Sequence, residues 1–177
     1  MAERQYQFSW EFIGDIATGR PNLGNTTRIE MYRLFQYTLR DVLEERLGTK
    51  EADTMLYQAG FLAGKHFCEQ FIGNPETDEE FFAKVQQVME DMHIGILRME
   101  ASAPGADGIS LSIAEDLDCS GLPDVGHEVC TYDEGFLAGL FQSRTGKPFE
   151  VKEIDCWCTG DRTCRFSVKP KSEDADS

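Results

Sequence analysis

The apolar positions of the chain follow two periods. From Thr27 to Leu47, the residues Met31, Leu34, Phe35, Leu39, Val42, Leu43 and Leu47 recur at helical spacing. Gly48 is placed to close that helix. A second helix fits Glu51 to Ile72, stopped by Gly73-Asn74-Pro75. A third opens on a capping box, Thr77 to Glu80, in which the hydroxyl takes the third amide and the carboxylate reaches back. It runs to about Met92.

The period then changes to two. Ile109, Leu111 and Ile113 alternate with Ser110 and Ser112, the pattern of a half-buried strand. Ile94 to Ala101 forms the strand before it, and Pro104 to Gly108 the connecting loop. A fourth helix fits Cys130 to Thr145, closed by Gly146-Lys147-Pro148. Two strands follow, Phe149 to Cys156 and Thr163 to Lys169. The last sets Cys164, Phe166 and Val168 on one face and Arg165, Ser167 and Lys169 on the other. Tyr6 to Phe12 reads as an edge strand. The fold class is α+β: N-terminal helices packed on an antiparallel sheet, with a C-terminal β-hairpin. Residues 1–19 read as an extension or edge strand, 20–169 as one domain and 170–177 as a disordered tail.

One short pattern occurs twice: Tyr57-x-x-Gly60-Phe61-Leu62-Ala63-Gly64 and Tyr132-x-x-Gly135-Phe136-Leu137-Ala138-Gly139. Glycines four apart clear one helix stripe for close approach of another backbone. Each glycine costs a helix about 1 kcal/mol relative to alanine. Accepting that cost twice in each helix predicts that both stripes lie against something, and core packing is the simplest partner.

Composition narrows the class. With 17 basic and 32 acidic residues among 177, the net charge is −15, which argues against nucleic acid and anionic membranes as partners. No apolar run approaches the roughly 20 residues of a membrane span. The first ten residues lack the apolar core of a secretory signal, so the expected compartment is cytoplasmic. Six cysteines in a reducing compartment point to metal ligands or free thiols rather than disulfides.

Three of those cysteines, Cys156, Cys158 and Cys164, fall within nine positions around a Gly-Asp turn. A hairpin brings both arms to one point, which suits a tetrahedral ion. Cys130, at a helix start where amide dipoles favour thiolate, is a third source of ligands, and Cys119 another. Cys68, mid-helix, reads as a buried apolar residue. The three histidines are not paired at metal-binding spacing. His66 and His93 are the better candidates for touching a ligand, together with the hairpin aromatic Trp157.

These motifs carry a family resemblance. Gly-Leu-Pro-x-x-Gly-x-x-Val-Cys at 121–130, Gly-Phe-Leu-Ala-Gly at 135–139, Gly-Lys-Pro at 146–148 and Glu-x-x-Cys-Trp-x-x-Gly-Asp-x-x-Cys at 153–164 resemble the 4-vinyl reductase (4VR) domain family. That family includes predicted hydrocarbon-binding proteins and the sensor domains of phenol-responsive activators. The resemblance implies zinc held by Cys130, Glu153, Cys156 and Cys164. Cys119 and Cys158 are additional thiols in this sequence, which makes them alternate ligands and an iron–sulfur cluster the alternative cofactor. It also implies a homodimer. Glu153 and Cys156 are an odd number of residues apart, so a regular strand points them to opposite faces. If both bind one ion, the strand must be irregular near Asp155.

Three thiolates and a carboxylate around a divalent ion leave −2 and no open position, which suits a structural ion rather than a Lewis acid. Such a site contributes on the order of 10 kcal/mol to folding. Gly-x-Ser-x-Gly, His-Glu-x-x-His and nucleotide-loop patterns are absent from the sequence. The reading therefore favours a stand-alone binding or sensor module over an enzyme. It would hold a small hydrophobic or aromatic ligand and signal through a partner protein. The alternative is an enzyme or accessory protein of tetrapyrrole metabolism, as the resemblance implies.

Overall fold

The computed structural model describes residues 4–100 and 108–171, which form two compact units divided between Thr38 and Leu39. In the first unit, Asp15 caps a one-turn helix α1 (Ile16–Gly19) by accepting from the Thr18 amide at 3.0 Å. The edge strand expected over Tyr6 to Phe12 does not form. The segment instead closes a 3-10 turn, Trp10–Ile13, through Phe12 N–H to Ser9 O and Gly14 N–H to Glu11 O. Its aromatics suit a strand, but these short-range bonds satisfy the backbone locally, and the Tyr6 and Phe12 rings meet each other at 4.8 Å. Helix α2 (Ile29–Leu47) begins in this unit and continues into the next.

The second unit contains α3 (Thr49–Phe67), α4 (Asp78–Asp91), β1 (Ile96–Glu100), β2 (Ile109–Ala114), α5 (Thr131–Thr145), β3 (Phe149–Asp155) and β4 (Cys164–Pro170). The helix expected to reach Ile72 does so by widening into a π turn over Cys68–Ile72, ended by Gly73 at φ 70°. The capping box of α4 forms as read, with Glu80 N–H donating to Thr77 Oγ1 at 3.1 Å and Glu80 reaching back. Of the expected β1–β2 loop, residues 104–107 lie outside the described residues, as do residues 1–3 and 172–177 of the two ends.

The four described strands form one antiparallel sheet in the order β1-β2-β4-β3. Leu111 and Ile113 of β2, Phe166 and Val168 of β4 and Val151 of β3 are buried with Leu137 and Leu140 of α5 and with Phe81, Val85 and Met89 of α4. The class is α+β, as the sequence predicts. Among the described residues, no helix is long and apolar enough to cross a membrane.

The repeated glycine pattern lies at the centre of this unit, with the two copies against each other. A Cβ on Gly60 would sit 2.0 Å from the Tyr132 carbonyl oxygen, and one on Gly64 2.0 Å from that of Phe136. Reciprocally, Gly135 and Gly139 face the carbonyls of Tyr57 and Phe61. The pairings advance together along both helices, so α3 and α5 run in the same direction. Both glycine stripes are spent on this contact.

Candidate functional site

One end of the sheet gathers four of the six cysteines. Cys164 opens β4 opposite Ile113 of β2. Cys156 follows β3, and Cys130 is the N-cap residue of α5. Cys119 arrives on the segment after β2, carried by a turn in which Asp116 Oδ1 accepts from the amides of Asp118 at 2.8 Å and Cys119 at 3.0 Å. Glu115, at φ 53°, starts that turn in left-handed backbone.

The sulfurs of Cys119, Cys130, Cys156 and Cys164 all lie within 4.8 Å of one another, and all four residues are wholly buried. Zinc with four sulfurs at about 2.3 Å has sulfur–sulfur edges of about 3.8 Å. Cys130 to Cys156 is 3.9 Å and Cys130 to Cys164 is 3.8 Å, edges of that size. Cys119 to Cys164 is shorter, 2.9 Å, and need open by only about 0.9 Å to fit the same tetrahedron. Cys158 is equally buried but stands outside the four.

Glu153 reaches the cluster's edge. Its Oε2 accepts from the Cys130 amide at 3.1 Å, while its buried Oε1 has no hydrogen-bond partner. The parity conflict with Cys156 is resolved as anticipated. Glu153 pairs with Phe166 and Asp155 with Arg165, so Ile154 is the extra residue of a bulge and projects outward. Glu134, in the first turn of α5, ties the helix to β3 by accepting from the Glu153 amide at 2.9 Å and from Lys152 Nζ at 2.8 Å.

The electrostatics are those of crowded, buried thiols and acids. The three neighbouring thiols and burial push the Cys130 thiol up, while bonds from those thiols pull Cys156 down. Burial, then the Cys156 thiolate, lift Glu153 to about 8. Burial, then Asp118, lift Asp116 to about 7, and burial with the same acids holds Asp133 well above the ordinary carboxylate range. The nearby arginines serve other partners: Arg165 pairs with Glu100 at 2.6 Å and with Asp155, and Arg162 lies over the Trp157 ring.

The hairpin tip also braces the loop that carries Cys130. The Cys158 carbonyl accepts from the amides of Val125 and Gly126, and Trp157 Nε1 donates to the Leu122 carbonyl at 3.0 Å. Trp157 is therefore half-buried against the Gly-Leu-Pro segment. His66 lies on α3 with Nδ1 3.5 Å from a Glu69 carboxylate oxygen. His93, in left-handed backbone at φ 57°, lines a polar cleft with Glu90, Asp91 and Glu115.

The apolar cleft is elsewhere. About 490 Å³ opens between α4, α5 and the far end of the sheet, lined by Phe81, Phe82, Met99, Ile109, Phe141, Phe149 and Val168. Ile109 pairs with Val168, whereas Ile113 pairs with Cys164, so cleft and thiols occupy opposite ends of the same two strands. The charged pair at the rim is self-satisfied: Arg144 Nε donates to Asp78 Oδ1 at 3.0 Å, and its guanidinium lies over the Phe81 ring. None of His66, His93 and Trp157 lines this cleft. Sequence periodicity does not show which aromatics flank a gap.

Known proteins resemble this chain in sequence and in fold. A stretch of 88 residues is 32% identical to an uncharacterized protein of Methanocaldococcus jannaschii, covering 50% of this chain and 52% of that protein. The chain thus spans about half the length of that relative. A second uncharacterized protein of the same organism is 24% identical over 160 residues, 89% of this chain and 86% of the relative. Among solved structures, a vinyl-4-reductase family protein from M. jannaschii superposes with a TM-score of 0.62 at 18% identity, over 96% of this chain and all of that one. The phenol-responsive sensory domain of the transcription activator PoxR, solved with phenol, gives 0.57 at 19% identity, over 77% of this chain and 74% of that one. Both share the fold. Residues 109–170, which supply all four clustered thiols and Glu153, match the V4R domain.

Proposed function

We propose that the chain is a binding and sensing module. It takes a small, uncharged aromatic or hydrocarbon molecule into the cleft between α4, α5 and the sheet, and it uses one zinc ion at the thiol cluster as scaffolding. The observation that carries the reading is the separation of the two features along β2 and β4. A buried four-sulfur set closes one end, and an open apolar gap lies at the other.

The spacing of the sulfurs supports a single ion. Four thiolates within 4.8 Å of one another would suit one tetrahedral metal, whereas an iron–sulfur cluster interposes several irons and sulfides and spreads its thiolates further. In this reading Cys119, Cys130, Cys156 and Cys164 are the ligands. Glu153 stands behind them, holding the Cys130 amide. Zinc would supply a closed, redox-inert crosslink among β3, β4, α5 and the segment after β2. With all four positions filled it would activate no water.

Uncharged ligands fit because the rim charges, Arg144 and Asp78, neutralise each other. The kinship of fold with a sensory domain solved with phenol supports the ligand class. The reading includes a homodimer and a signalling partner protein. For self-association, α2 offers Leu39, Val42 and Leu47, each at least 40% exposed, since the glycine stripes are already buried inside one chain.

Calorimetric titration with phenol and with naphthalene tests the cleft. Wild-type protein should bind at least one of them. Ile109→Trp, which fills the gap from β2, should weaken binding by tenfold or more while leaving the fold intact by circular dichroism. Unchanged affinity in that variant would remove the cleft from the account.

A further inference from the structure

We propose that a second divalent cation binds beside the first, held by Asp116, Asp133 and the Cys130 sulfur, so that the two ions share one thiolate. The inference rests on reading the four thiols as a metal site and extends that site into a dinuclear centre. One carboxylate oxygen of Asp116, one of Asp133 and Cys130 Sγ lie within 4.8 Å of one another. Asp116 is 3% exposed and Asp133 9%. Asp133 Oδ2 is buried and has no hydrogen-bond partner.

That orphaned oxygen is the decisive feature. An acidic residue in the first turn of α5 is favourable to the helix dipole, which accounts for Asp133 as a residue type. The dipole does not account for a buried oxygen without a donor, a state that native proteins avoid. The donor set is preformed. Cys130 is fixed as the cap of α5, Asp133 lies three residues further on, and Asp116 is pinned by the two amides of its own turn. Lys152, the ammonium group nearest in sequence to Glu153, is committed to Glu134.

Two carboxylate oxygens and one thiolate suit a borderline divalent ion such as zinc, cobalt(II) or iron(II). Three protein ligands leave a coordination position for water, so this ion would exchange more readily than the one enclosed by four sulfurs.

The test is metal stoichiometry. Protein is equilibrated with zinc, freed of excess by gel filtration and weighed by native mass spectrometry. The proposal expects two ions per chain in the wild type and one in Asp133→Asn, with Asp116→Asn as the second variant should the first fail to fold. After cobalt(II) loading, the sulfur-to-cobalt absorption of Asp133→Asn should match the wild type, because the four-sulfur ion stays. One ion in both proteins would overturn the second site and leave the first standing. No retained ion in the wild type would overturn both, and two ions in the variants would show that these carboxylates are not ligands.

Discussion

Glu153 and Cys156 illustrate how far individual residues can be read. Placing both on one side of the strand requires an irregularity near Asp155, and the bulge at Ile154 supplies it, returning Cys156 to the buried side. Cys164 and Cys130 were equally legible, one by strand alternation and one by its place at a helix start. Cys119 was harder. Its sulfur reaches the cluster only because Glu115 turns left-handed and Asp116 folds the next amides around its carboxylate, a geometry with no periodic signature. Cys158 has the spacing of a ligand, but its sulfur stands outside the group of four, and its backbone carbonyl accepts from the Val125 and Gly126 amides. The distinction predicts different phenotypes for two buried thiols. Cys156→Ser should lose the ion, measured by elemental analysis, and more than about 3 kcal/mol of stability, because binding energy at such a site is folding energy. Cys68→Ser should keep its full metal content. Equal metal loss in the two variants would contradict the assignment.

At the scale of elements, the helices and strands of the second unit were readable because their periods are strong and their stops are chemical: Gly73 before Pro75, the Thr77 capping box, Gly146 before Pro148. The Tyr6 to Phe12 segment misled because aromatic content suits a strand only where a partner strand exists, and its amides close a 3-10 turn instead. The repeated Gly-Phe-Leu-Ala-Gly pattern announced close packing, but the sequence did not show that each copy is the other's partner. The consequence is measurable. In Gly64→Ala a methyl carbon would lie 2.0 Å from the Phe136 carbonyl oxygen, so the helices must separate by about 1.4 Å to restore ordinary contact. Overpacking of that kind costs about 1–3 kcal/mol, against at most about 1 kcal/mol regained from alanine's helix preference. Urea denaturation should therefore show a lower midpoint for Gly64→Ala. An unchanged or raised midpoint would mean that the α3–α5 approach is looser than described.

For the molecule as a whole, the motifs of residues 121–164 indicated where the thiols should gather, and the fold brings four of them together from four separate segments. The cleft was not legible in the same way, because a gap is defined by what neighbouring elements leave unfilled. β2 and β4 connect the two features. If zinc is a crosslink, it sets the position of both strands, and through them the floor of the apolar cleft at Ile109 and Val168. The ion need not touch a ligand to govern whether one fits. The most direct test of the central claim is an anomalous difference map from crystals measured on either side of the zinc absorption edge. The account predicts a peak enclosed by the sulfurs of Cys119, Cys130, Cys156 and Cys164, at about 2.3 Å from each. No anomalous scatterer among these sulfurs, or an ion bound by Glu153 with Cys119 turned away, would contradict it.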